Sequence, residues 1–204
     1  MIDYLKLTGK WCISVTRWLV SAVIVILSKF LAMILAPIAA LPFFIETDEN
    51  GREEMGKYFY WATTHDAPID IYAFGTEGRK HWLLKRYNVV DPKDNPQWLR
   101  YINRLLWIWR NPAYVMAQAL GYDQTGMKIH TVQDEDVLWD TGVPNFSFWW
   151  ATNAEGQIGW MLEWQWYFYK KRCLEVYLGW KLHRDDPDKV CMLVSRITPF
   201  KSYG

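Results

Sequence analysis

The chain has 204 residues, with 23 basic against 22 acidic side chains, a net charge of +1, 17% aromatic residues and 14 tryptophans. The even charge balance argues against a nucleic-acid binder, which normally shows a basic excess or stripe. Three cysteines (Cys12, Cys173 and Cys191) with no C-x-x-C pair exclude the usual zinc spacing, and no residue pattern calls for a metal or another cofactor.

The opening MIDYLKLTGKWCISVTRW carries Lys6, Lys10 and Arg17 ahead of an apolar run from Trp18 to Ile45. As one helix that run, about 28 residues, would be about 42 Å long against a hydrocarbon core of roughly 30 Å. An uncleaved transmembrane helix is expected rather than a signal peptide. The apolar residues continue past the small Ala36, Ala39 and Ala40 through Leu41-Pro42-Phe43-Phe44-Ile45.

Lys29 interrupts the run at a cost of about 2.5–3.5 kcal/mol at bilayer centre. It snorkels to the headgroups, meets a partner helix in a homo-oligomer, or marks the bend of a re-entrant or in-plane hairpin broken by Pro37 and Pro42. A single tilted span is the reading taken forward. Three Lys/Arg precede the run, and Arg52 and Lys57 follow within fifteen residues. This leans towards an amino terminus inside and a domain in the periplasm.

Three parts are expected: residues 1–45 as anchor, 46–57 as polar connector and 58–204 as an aromatic-rich domain. In the domain, Thr64-His65-Asp66-Ala67-Pro68 reads as a loop. His65, Asp66 and Asp70 come nearest to a catalytic or metal cluster. One imidazole and two carboxylates can hold a metal, or act as a base with its orienter. No HxxH, HxH or HExxH spacing accompanies them, and locally hydrogen-bonded turns use the same residues. His81, His130 and His183 are the remaining histidines on which an enzyme would draw.

Pro96 to Leu120 reads as a helix kinked at Pro112 and ended by Gly121, with Asn95 as a cap. Trp98, Trp107 and Trp109 with Arg100 and Arg104 suit either an interfacial membrane helix or a core helix on a sheet. Together with Trp18 and Lys29 they are the candidate membrane-interface residues. Residues 121–143 read as a polar loop. Its acids Asp134, Glu135, Asp136 and Asp140 lack the calcium-loop pattern.

From Asn145 onwards the period is two. Ile158, Trp160, Leu162, Trp164, Trp166 and Phe168 alternate with polar or small residues, and similar runs lie on either side. Four antiparallel strands are expected, their apolar face covered by the kinked helix. The fold class is α+β: an N-terminal transmembrane helix, then a four-stranded antiparallel sheet covered by one or two helices. Cys173 and Cys191 fall in neighbouring strands and read as buried thiols; a disulfide between them would need an oxidising compartment.

The KLTGKW opening, THDAPID, LRYINRLLWIWRNPAY and VYLGWKL, in that order, resemble a group of uncharacterised tailed-bacteriophage proteins. The resemblance implies a phage origin and the host inner membrane as location. It carries no catalytic residues. The expected role is a non-enzymatic accessory protein that binds membrane lipids and a host or phage protein. A virion or ejected component and a membrane-bound hydrolase are the alternatives.

Overall fold

A computed structural model describes residues 2–47, 49, 53–63, 96–131, 145–169, 172–183 and 191–202. The chain forms two compact units: Met1–Ile24 with Ala117–Gly204, and Val25–Met116. A single helix of 38 residues, α1 (Ile2–Ala39), contributes turns to both. It stops before the end of the apolar run. Leu41 precedes Pro42 and is extended, as residues before proline prefer, and Pro42–Phe44 tightens into a 3-10 turn. From Trp18 to Ala39 the helix is about 33 Å long at ~1.5 Å per residue, closer to a bilayer core than the full run.

In the first unit, β3 (Lys128–Thr131), β4 (Asn145–Thr152), β5 (Ile158–Tyr169), β6 (Arg172–Trp180) and β7 (Leu193–Ser202) form one antiparallel sheet in chain order. The sheet therefore has one strand more than the sequence pattern announced. Strand β3 lies in a segment expected to be a loop, and pairs Lys128 with Thr152 and Thr131 with Trp149. Tyr122 bridges to Cys191, outside the named strands. Cys173 and Cys191 are buried free thiols, and Cys12 is exposed.

The apolar face of this sheet carries the row Phe146–Trp164–Val176–Ile197 across four strands. The first turns of α1 cover one end of it: Trp11 stacks on Phe148 and packs tilted against Trp150, and Trp18 packs against Trp160. The opposite face is polar yet buried. Ser147, Glu163, Gln165 and Glu175 are all at most 3% exposed, whereas Trp164 and Trp166 are 39% and 51% exposed. The alternation was expected; the burial of its polar side was not.

Gly179, with φ +104°, lies where strand β6 passes β5, and a Cβ there would collide with the Trp160 carbonyl oxygen. Backbone cannot yield as a side-chain tip can. Gly179→Ala should cost about 3 kcal/mol, combining left-handed strain with the clash, read as a lower thermal unfolding midpoint in detergent.

In the second unit, the expected connector holds a two-stranded ladder of β1 (Ile45–Thr47) and β2 (Glu53–Met55), with Ile45 opposite Met55. The kinked helix is two helices, α2 (Gln97–Arg110) and α3 (Tyr114–Ala119). Pro112 divides them, and buried Ala113 adopts φ +51°. The amides freed at this break are used: Ala113 N–H donates to Ala62 O and Val115 N–H to Thr63 O, both at 2.8 Å.

Candidate membrane-facing site

The two sides of α1 are chemically opposite. In the first unit its buried positions include Ser14, Ser21 and Ala22, while Ile13, Leu19, Val20 and Val23 are exposed. In the second unit Val25, Ala32, Ala36 and Ala39 are buried, while Leu27, Phe30, Leu31 and Ile34 are exposed. Water as the surrounding medium would select the reverse arrangement. Small residues against protein and large apolar ones outwards is the arrangement of helices in lipid. Among the described residues this is the one helix long and apolar enough to cross a membrane.

In the second unit Ala36, Ala39 and Ala40 pack with Met55 and Ile108, and Ala32 packs with Ala62 and Ala113. Small side chains let backbones approach closely. The end of α1 is then closed by donors from α2. Pro37 has no N–H, so the Met33 carbonyl loses its helical partner; Trp109 Nε1–H donates to it at 3.1 Å. Tyr101 OH donates to Pro37 O at 3.1 Å, and Arg104 Nη1–H to Ala40 O at 3.4 Å. A cation at the carbonyl end of a helix also complements its dipole. Trp109→Phe keeps the ring and removes the N–H. It should cost about 1 kcal/mol, the net worth of one hydrogen bond, and thermal unfolding in detergent measures it.

Arg104 is buried and bidentate on Glu53, with Nε to Oε2 at 2.7 Å and Nη2 to Oε1 at 2.6 Å. Arg100 pairs with the same carboxylate from one turn earlier. Burial, then the Arg104 charge, lowers the Arg100 pKa. The candidate interface residues thus separate. Arg100 and Arg104 converge on Glu53, while Trp98 and Trp109 stay exposed. Trp107 is half-buried against the alanine cluster. Lys29 is half-buried and engaged with the protein.

Trp18 is half-buried and donates to Val194 O at 3.1 Å. Nearby, Ser14 donates to Ile158 O at 2.6 Å, and Arg17 donates to Gly121 O while its guanidinium lies 5.8 Å from the Trp180 ring centre. The early turns of α1 and the sheet therefore belong to one unit.

His65, Asp66, Asp70, His81 and the acids at 134–140 lie outside the described residues. His130 is exposed, stacked on Trp150 with ring centres 4.2 Å apart, and its Nε2 is 3.3 Å from Thr152 Oγ1. His183 is half-buried and engaged. Among the described residues no group of three His, Cys, Asp or Glu is placed to hold a metal.

The polar sheet face holds a cluster that sequence reading missed. In one row Ser147 lies opposite Glu163, Glu163 opposite Tyr177, and Tyr177 opposite Arg196; in the next, Gln165 lies opposite Glu175. Arg196 pairs with Glu175 at 2.5 Å and lies over the Tyr177 ring. Tyr167 OH donates to Gln165 Oε1 at 2.7 Å. Burial, and then the Glu163 charge, push the Tyr177 hydroxyl above its usual range. The only sequence signal was Glu and Gln alternating with tryptophan, which reads equally as a solvated face.

The Cys191 thiol donates to Gln124 Oε1 at 2.7 Å and is pushed from 9.0 up to about 11 by burial. A raised folded-state value means this group's contribution to stability is complete below pH 9 and is lost as pH rises through about 11. Because Cys12 is exposed and Cys173 and Cys191 are buried, a maleimide at pH 8 should modify Cys12 and spare the other two, and all three should react once the chain is denatured. Mass spectrometry counts the adducts.

No curated protein and no solved structure matches the chain. A family model matches residues 10–204, so the chain belongs to a family of unknown function (DUF7338).

Proposed function

We propose that this is a membrane-anchored bacteriophage accessory protein, held at the host inner membrane through α1 and acting there by binding a partner protein. The candidate roles are exclusion of a second phage, interference with host defence, or help with entry or lysis. The observation that carries the membrane reading is the outward apolar side of α1, whose inward side is small and partly polar. The phage origin rests on resemblance in KLTGKW, THDAPID and LRYINRLLWIWRNPAY.

Fractionation of expressing bacteria tests the location: the full chain should stay with inner membranes through a carbonate wash. Recovery in the soluble fraction would contradict it. Crosslinking in infected cells tests the role. One defined host or phage protein should be recovered at a fixed ratio, and recovery of this chain with itself alone would count against it.

The buried Glu163 and Glu175 favour a second reading, a membrane-bound hydrolase. Ser147 Oγ and Gln165 Nε2 beside them are buried with no hydrogen-bond partner among the described residues. Glu163→Gln and Glu175→Gln would abolish the phenotype under this reading and leave it intact under the first.

A further inference from the structure

Helix α1 covers only one end of the apolar sheet face. Its successive turns meet successive strands: Trp11 on β4, Ser14 on β5, and Trp18 on β5 and β7. Beyond that end Phe146, Trp164, Trp166, Phe168, Ile197 and Phe200 are between 39% and 67% exposed. They are contiguous. Phe146, Trp164 and Ile197 share a row, Trp164 and Trp166 stack at 6.3 Å, and Phe168 contacts both Trp166 and Phe200. Soluble surfaces rarely leave so aromatic a patch uncovered.

We propose that this uncovered part of the sheet face is where a second copy of the chain docks, sheet face to sheet face. The area fits. Six side chains of roughly 200 Å² each at about half exposure bury about 600 Å² per copy, or about 1,200 Å² for the pair, the lower edge of specific interfaces. The chemistry fits too, since the six residues carry no charge and two antiparallel sheets pack face to face through such side chains.

The inference rests on the membrane reading above in one respect: two copies anchored from the same side of a bilayer pair about a two-fold axis along the bilayer normal.

The test uses the full chain with Cys12→Ser in native membranes. Ile197→Cys should crosslink to a dimer with a short bismaleimide, and exposed Glu155→Cys, at the end covered by α1, should not. Light scattering in detergent should give twice the mass of one chain, and Trp166→Glu with Ile197→Glu should halve it while circular dichroism is unchanged. A double variant that keeps the doubled mass would place pairing elsewhere and overturn the proposal. So would a monomeric wild type with no crosslink at 197, as lipid cover of the face predicts. The crosslink is read on an otherwise native face, so it decides even if the double variant fails to fold. A chain that pairs through 197 yet washes off membranes would overturn the membrane reading alone.

Discussion

Replacing Glu53 with alanine is expected to destabilise the Val25–Met116 unit by about 3–5 kcal/mol, among the largest effects of a single substitution in this protein. The carboxylate is buried and serves two guanidiniums, and Arg104 is itself buried. Without it Arg104 keeps its desolvation penalty and loses two charge-assisted hydrogen bonds. Its hydrogen bond to Ala40 O, at 3.4 Å, is longer than either bond to Glu53. Arg100, on the same helix face, then adds unrelieved like-charge repulsion. The loss should appear as a lower thermal midpoint in detergent. Adding Arg104→Met to Glu53→Leu should recover most of it, because a buried ion pair is replaceable by packed apolar side chains more readily than it is halved.

This cluster also marks the limit of sequence reading. Arg100 and Arg104 lie four residues apart, and their common face on α2 was legible from spacing alone. Their partner was not, since Glu53 is about fifty residues away in a stretch that reads as a charged linker. Two such residues become an ion pair only once β2 is placed beside α2. Trp109 is similar. Its ring announced an interface, but its N–H finds a use because Pro37 on another helix has left a carbonyl open.

The sheet was legible in its period and not in its orientation. Alternation in β5 fixes which residues share a face, but assigning the inner face assumes that water lies outside. Here Glu175 finds Arg196 and Gln165 finds Tyr167 across a buried polar face, while Trp164 and Trp166 stay half-exposed. Strand β3 was missed for a different reason. Lys-Ile-His-Thr has little apolar signal, and it becomes a strand through backbone pairing with β4. The end of α1 has a local cause in Leu41-Pro42, yet the rule that residues before proline avoid helix would equally have stopped it at Ala36-Pro37, which α1 passes through.

The central claim is that the outward side of α1 meets lipid, and the double substitution Leu27→Asp with Phe30→Asp tests it most directly. Both side chains are exposed, at 63% and 61%, and lie near the middle of the apolar helix. In water such surface changes cost little folding energy. In a bilayer each aspartate adds about 3 kcal/mol to insertion, so the pair should shift the partition by about 6 kcal/mol, roughly 10⁴-fold. Flotation of the full chain with vesicles should find the wild type with lipid and the variant in the aqueous fraction, with unchanged circular dichroism. A variant that floats with the lipid as the wild type does would contradict the account.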